Sequence, residues 1–360
     1  YDWSTAGSQT VVMNYMRNMK NDNDYHFTLL ITEPFKDVMY EKELAVGNYD
    51  YKSCEYKPSK CSRILRPIVN WVTYQYKIWK VIKSERPDII HTHLTNILPY
   101  VVFPAIFSRA NKVHTLHSDP YAIPKKNVIW AWLAFHFFGF RPIAVTENQS
   151  KKACKRYKLS DIDIVHNGLD LNAYNQNDVC RQNVRTELGL DQDAFVIGTV
   201  GRFDKIKNFP FLIKVFSEYL KLNSSARLLM VGDGIERQQL AELVRFLNIE
   251  NKVIFAGQRS DVQNMYKAMD LFMLTSFFES SSIVTVEAQL SGVRCVISSS
   301  IPDSVIITDK VNRISLDAPL DEWMSAISGQ LPRDPQINDE IHFSIENTIL
   351  ELKQVYHRLK

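Results

Sequence analysis

The sequence predicts an α/β protein built from two doubly wound domains, each with a parallel sheet. Three observations predict it. Strand-like apolar runs alternate with segments of helical periodicity along almost the whole chain, the pattern of parallel strands joined by crossover helices. The alternation comes as two series, separated where periodicity lapses into turn formers between Asn167-Gly168 and Asp178. The length of 360 residues, with 45% hydrophobic and 23% charged residues, suits two globular domains of about 170–180 residues each.

In chain order, the strand-like runs are 26–32, 88–91, 112–116 and 143–146, then 195–200, 227–231, 253–255, 271–274 and 295–298. All are short, rich in Val, Ile, Leu and Phe, and bounded by turn residues. Helical spacing predicts helices over 8–20, 63–86, 96–109, 208–222, 236–247 and 283–291. A last helix over 343–359 carries Ile345, Ile349, Leu352, Val355, Tyr356 and Leu359 on one face, so it must pack on something. The expected division is residues 1–168, 169–340, and a closing helix in 341–360. The chain opens on Asp2-Trp-Ser-Thr-Ala-Gly7, which reads as a loop following a strand that is missing.

Five cysteines (Cys54, Cys61, Cys154, Cys180, Cys295) form no CxxC or Cys/His cluster, which disfavours a disulfide framework or a zinc site and points to a reducing cytoplasm. The longest apolar run, 128–140, falls short of the roughly 20 residues needed to span a bilayer. Net charge is +3, but residues 1–170 carry 23 Lys/Arg against 16 Asp/Glu and residues 171–360 carry 20 against 24. The basic excess lies in 51–86, interleaved with Trp71, Tyr74, Tyr76 and Trp79. Such a segment is either a solvated helix face or a contact for an anionic membrane surface or a phosphate-bearing acceptor. No nucleic-acid module is visible.

The chemistry-bearing motifs sit after strands. Glu279 and Glu287 bracket Ser280-Ser281-Ser282-Ile283 after the strand 271–274. If a helix starts near Ser282, its free N–H groups and dipole favour an anion there, and Glu287 lies about 7–8 Å along the axis, the reach from a diphosphate to a ribose. Spacing alone is weak, because Glu33/Glu41 and Glu242/Glu250 share it. Gly201-Arg-Phe-Asp-Lys-Ile-Lys207 follows the strand 195–200, where Gly201 permits a tight turn and Arg202 and Lys207 can neutralise a leaving diphosphate. Lys205 reads as solvated. Gly232-Asp-Gly234 reads as a tight turn rather than a dinucleotide fingerprint. Asp261 reads as a helix N-cap, and Arg259 is left open between a base pocket and a structural role.

In the first series, Ile90-His91-Thr-His93 and His114-Thr-Leu-His117 end strands. His91 and His114 read as structural, whereas His93 and His117 are candidates to contact a donor sugar or an acceptor. The Asp161-Ile-Asp163 and Asp191-Gln-Asp193 pairs lie in polar segments and read as surface residues, so no metal is required.

Taken in order, Val165-His-Asn-Gly-Leu-Asp170, Gly201-Arg-Phe…Lys207-Asn208, Leu229-Met-Val-Gly-Asp-Gly234, Phe255-Ala-Gly-Gln-Arg-Ser-Asp261 and Glu279-x7-Glu287 resemble the motif series of glycosyltransferase family 4 over nearly the whole chain. The resemblance is strongest to the branch that assembles bacterial capsular polysaccharides and exopolysaccharides. It implies a retaining, metal-independent enzyme of GT-B fold, with the two domains facing across a cleft and the last helix returning to the first domain. The donor would be a nucleotide-diphospho-sugar, UDP- rather than GDP-linked, and the acceptor a glycan or lipid-linked glycan; no cofactor is implied. By position, Arg202 and Lys207 become the diphosphate clamp and Glu287 the ribose ligand. Glu279 and His117 face the donor sugar, and Gly7, followed by Ser8, matches the loop near the β-phosphate and acceptor. The resemblance also implies docking on the inner face of the membrane through the first domain. Three positions depart from the family: Gly7-Ser8 replaces paired glycines, Ser280-Ser281-Ser282 stands where Gly usually follows the glutamate, and Ser304 stands where Glu is frequent. A catalytically silent sugar-nucleotide-binding or partner subunit is the alternative reading.

Overall fold

A computed structural model describes residues 7–32, 38–54, 65–175, 180–329 and 343–359. The chain divides into two compact units, residues 1–169 with 342–360, and residues 170–341.

In the first unit, β1 (Leu29–Ile31) and β2 (Tyr51–Ser53) form a parallel pair, while β3 (Ile89–His93), β4 (Asn111–Thr115), β5 (Phe140–Ala144) and β6 (Asp163–Ile164) form a parallel sheet in that order. The helix Gly7–Met19 precedes β1, and the helices Val38–Val46, Arg66–Glu85, Leu98–Ile106, Lys125–Phe137 and Glu147–Tyr157 run between successive strands. The predicted helix over 63–86 begins at Arg66, with Pro67 pre-set for its first turn, and residues 63–64 lie outside the described residues. The predicted 96–109 helix splits into a 3₁₀ turn, Thr95–Ile97, and Leu98–Ile106 with Pro104 inside it. The apolar run 128–140 becomes the helix Lys125–Phe137 and the start of β5. Asp163, expected on the surface, lies in β6 and pairs with Arg358 at 2.6 Å. Among the described residues no helix is long and apolar enough to cross a membrane.

The last helix, Ile345–His357, belongs to this first unit. Ser344 caps it by accepting from the Asn347 N–H. It is tied down by the Glu351 carboxylate on the His166 ring at 3.0 Å, by the Tyr356 hydroxyl on His91 at 2.7 Å and by a Lys353–Asp22 ion pair. Gly168 lets it approach closely, since a Cβ there would fall 2.4 Å from Thr348 Oγ1 and 2.6 Å from the Ile345 Cα.

In the second unit, β7 (Val196–Val200), β8 (Arg227–Val231), β9 (Val253–Gly257), β10 (Leu271–Leu274), β11 (Arg294–Ser298) and β12 (Val311–Ile314) form one parallel sheet in the order β12-β11-β10-β7-β8-β9. β7 and β10 are central and buried on both faces, which is why they read as unbroken apolar runs. The order reverses direction between β7 and β10, the topological switch point where doubly wound sheets bind ligands beyond their strand ends. Helices Phe209–Tyr219 and Arg237–Phe246 pack on this sheet with Trp323 of the helix Leu320–Ser328. Arg185, 1% exposed, anchors the short helix Arg181–Glu187 by donating to the carbonyls of Gln192, Ala194 and Ala268 and to Asp270 Oδ2. The same Asp270 oxygen accepts from the Val196 N–H at 2.7 Å, so this cluster pins the start of β7.

Candidate functional site

The loops leaving β7 and β10 lie side by side at the switch point. Phe277 N–H donates to the Ile206 carbonyl at 2.8 Å, and Thr275 Oγ1 donates to the Asn208 carbonyl at 3.0 Å. These bonds bring Lys207 Nζ to 2.6 Å from Glu279 Oε1, with side chains only 17% and 12% exposed. Ser276 Oγ donates to the same oxygen at 2.7 Å. An ammonium, a carboxylate and a hydroxyl therefore share one point at the carboxyl end of the sheet.

The β7 loop is shaped by its own residues and braced by the β8 loop. Asp204 accepts from the N–H groups of Ile206 and Lys207, closing the 3₁₀ turn that aims Lys207. The same aspartate holds the half-exposed Arg202, whose Nε lies 2.8 Å from Oδ2. Gly232 and Gly234 serve a close backbone approach: added Cβ atoms would stand 2.0 Å from the Gly201 carbonyl oxygen and 2.4 Å from that of Phe203. Gly201 N–H donates to Val231 and Phe203 N–H to Asp233, so the glycine turn is a brace for the Gly201 loop.

Ser282 precedes the helix Ile283–Leu290 as expected, but its side chain makes no cap bond; its Oγ lies 2.9 Å from Thr285 Oγ1. Ser281 Oγ is buried and has no hydrogen-bond partner. Ser280 is half-buried in the same turn. Glu287 is 9% exposed and receives the Tyr174 hydroxyl on Oε1 at 2.7 Å and the Tyr266 hydroxyl on Oε2 at 2.8 Å. Burial pushes its carboxyl pKa up, and the two phenols pull it back. Burial first, and the neighbouring carboxylate second, push both tyrosines well above the ordinary phenol range.

Arg259 is clasped by Asp261 through two bonds of 2.8 Å and by Glu187 at 2.8 Å, and these bonds raise its pKa. Asp261 stands at the N-cap position of the helix Val262–Ala268 but makes no side-chain cap bond, because its carboxylate is taken by Arg259. This corrects the expectation of a capping aspartate.

In the first unit, Gly7 is exposed and opens the helix Gly7–Met19, with Ser8 Oγ on Gln9 Oε1 at 2.8 Å. The loop expected over 2–6 lies outside the described residues. The histidines at the ends of β3 and β4 gather in one place. His91 and His93 stack with ring centroids 4.2 Å apart, His93 and His117 at 5.2 Å, and His93 Nδ1 lies 2.9 Å from His117 Nε2. His91 also bonds Thr115 and Tyr356 at 2.7 Å each, and fully buried His114 bonds Thr92 at 2.8 Å. Burial lowers all four, His91 and His114 to about 3, His117 to about 4, and His93 well below the usual value.

Sequence reasoning missed Ser276, Asp204, Tyr174 and Tyr266. Asp204 carries a signal, an aspartate three residues before Lys207 at a helical turn start. The Tyr174–Glu287 contact joins residues 113 apart in sequence and leaves no local trace.

Two family models match the chain, one described as "Glycosyltransferase Family 4" over residues 5–173 and one as "Glycosyl transferases group 1" over residues 181–337. The protein is 30% identical over 343 residues to a Bacillus subtilis (strain 168) protein with the full name "Putative glycosyltransferase EpsF", covering 90% of this chain and 84% of that one. It is 26% identical over 268 residues to the Escherichia coli UDP-Gal:alpha-D-GlcNAc-diphosphoundecaprenol alpha-1,3-galactosyltransferase, covering 69% and 68%. The crystal structure of Anabaena Alr3699/HepE in complex with UDP and glucose superposes with a TM-score of 0.76 at 19% identity, covering 99% and 96%, a likeness of fold.

Proposed function

The chain belongs to glycosyltransferase family 4, and from that premise we propose that it moves a sugar, with retention of configuration, from a UDP-sugar to a glycan or lipid-linked glycan in bacterial surface-polysaccharide synthesis. The observation that carries the donor assignment is the Lys207–Glu279 pair at the switch point of the second sheet. An arriving diphosphate presents negative charge beside Glu279, so Lys207 and Arg202 turn to the phosphates, while the N-terminus of Ile283–Leu290 with Ser280, Ser281 and Ser282 takes an anion. Glu287, set by its tyrosines, accepts from the ribose hydroxyls. Glu279 and His117 contact the donor sugar, and Gly7 and Ser8 lie with the acceptor. As the bond from the anomeric carbon to the phosphate oxygen breaks, the acceptor oxygen bonds to the same face of that carbon and its proton passes to the leaving phosphate. The side chains contribute position and positive charge. UDP as the nucleotide and a lipid-linked acceptor are supported by the names of the relatives.

The proposed partner of the first unit is an anionic membrane surface on the cytoplasmic side. On the helix Arg66–Glu85 the exposed Ile68, Val69, Val72 and Tyr76 follow Leu65 at helical spacing, and Lys80 and Lys83 continue the same side. An apolar stripe running into cations suits a lipid interface. Lys57, Lys60 and Arg63 of the basic segment lie outside the described residues. The test of the donor is a thermal-shift panel of nucleotide sugars: a UDP-sugar should raise the midpoint by mass action. A midpoint unmoved by every nucleotide sugar would remove the donor assignment.

A further inference from the structure

Glu287 is held on both carboxylate oxygens at once, by phenols from two separate elements. We propose that Tyr174 is a positioning residue and, with Tyr266, a specificity determinant: the two phenols fix the plane of the Glu287 carboxylate so that it takes two vicinal hydroxyls, one on each oxygen, and thereby selects ribonucleotides over 2′-deoxyribonucleotides. The selection rests on the donor reading that places Glu287 against the ribose; the fixing of the carboxylate does not.

The terminal torsion of a glutamate is broad and sets no sharp angle of its own, so its carboxylate keeps one plane only where the surroundings impose it. A partner on one oxygen alone leaves the group free to turn about that contact. Here Oε1 accepts from Tyr174 at 2.7 Å and Oε2 from Tyr266 at 2.8 Å, which pins both ends. An ionised carboxylate has no proton to give, so in both bonds the phenol donates and no second arrangement exists. The Tyr266 hydroxyl also lies 3.2 Å from the Val284 carbonyl, but its one proton goes to the nearer, charged acceptor. A carboxylate oxygen accepts about two hydrogen bonds, so one place on each remains open. Those two places match the 2′- and 3′-hydroxyls of a ribose, and a 2′-deoxyribose fills only one. The two anchors differ in kind. Tyr266 is fully buried on the helix Val262–Ala268 with its ring 5.9 Å from that of Phe272 on β10, so sheet packing sets its place. Tyr174 is half-buried on the single turn Asn172–Asn175, and its hydroxyl can be removed with little effect on the core. The titratable groups facing the carboxylate are these two phenols; Asp170 faces Tyr174, and Cys295 of β11 faces Tyr266.

The experiment is calorimetric titration of UDP and of 2′-deoxy-UDP into the full chain, as wild type, Tyr174→Phe and Tyr266→Phe. The wild type should bind UDP about tenfold or more tightly than 2′-deoxy-UDP, the scale of one hydrogen bond to a charged group. In Y174F the ratio should shrink to about threefold or less, because the Oε1 end is free to turn. Y266F, which strips the other oxygen, should act in the same direction and decides the question if Y174F does not fold. A merely loosened fold would weaken both nucleotides alike and leave the ratio unmoved. The discrimination that remains in Y174F should fall off at a higher pH than in the wild type, since the lost phenol bond no longer holds the Glu287 carboxyl down. The phosphate titration is common to both nucleotides and cancels. Wild-type discrimination left intact by Y174F and Y266F would overturn the proposal alone. Equal affinity of the wild type for UDP and 2′-deoxy-UDP would overturn it together with the ribose assignment of Glu287, and binding of neither would overturn it together with the donor reading.

Discussion

Lys207 shows how much a single residue's place depends on its neighbours. Its charge and its position after a strand were legible in the sequence, but its partner Glu279 is 72 residues away and became visible only when the loops of β7 and β10 joined. We predict that Lys207→Met lowers kcat/KM by about 100-fold or more, the scale of losing one charge-stabilising donor. Stability should fall by only about 1–2 kcal/mol, because Ser276 still donates to the Glu279 oxygen. Steady-state kinetics and thermal melts together check both numbers. Arg202 is separable from the fold, since its side chain is 54% exposed. Arg202→Ala should therefore change stability by less than about 0.5 kcal/mol while turnover falls steeply. Unchanged turnover and donor affinity in this variant would remove Arg202 from the clamp. Glu287 was legible as a candidate, but its two tyrosines were not, since no periodicity or spacing marks a contact made across the fold.

At the scale of elements, legibility followed burial. β7, β8, β10 and β11 stand out in the sequence because parallel strands covered on both faces must be apolar. β2, β6 and β12 did not, being two to four residues long with Lys52, Asp163, Asn312 and Arg313 among them; pairing with a neighbour makes them strands. The glycine turn Gly232–Gly234 was legible as a turn, and its role as a brace came from its distances to the Gly201 loop. Gly234→Ala should destabilise the protein by at least about 1–3 kcal/mol, because the new methyl meets the Phe203 backbone rather than a movable side chain. Chemical denaturation would show it as a lowered midpoint; an unchanged midpoint would mean the two loops are not in contact. For the helix Arg66–Glu85, the paired change Ile68→Glu and Val72→Glu should abolish co-flotation with phosphatidylglycerol vesicles and leave the melting midpoint nearly unchanged, since both side chains are exposed. Wild-type protein that does not float with such vesicles would argue against the membrane partner.

For the molecule as a whole, pH acts through two opposed sets of histidines in the first unit. His91, His93, His114 and His117 are depressed by burial, so between the unfolded value near 6.5 and their folded values the unfolded chain binds more protons, and stability falls as pH drops through that window. His166 is raised, first by its bond to Glu351, and its contribution is full below about 6.5 and is lost as pH rises through the folded value. Glu287 of the second unit, raised by burial, sides with His166. Four groups against two predict a lower thermal midpoint at pH 5 than at pH 7, measurable by circular dichroism; an equal or higher midpoint at pH 5 would mean the stack is solvated and chargeable. The fold class was legible because both units repeat one strand–helix rhythm, whereas the order β12-β11-β10-β7-β8-β9 had to be seen to place the switch point between the Lys207 and Glu279 loops. The most direct test of that placement is a donor-binding titration, by calorimetry, of UDP-sugars against the wild type and Lys207→Met. The account predicts saturable binding to the wild type, weakened by at least about tenfold in the variant. Equal affinity in the two proteins would contradict it.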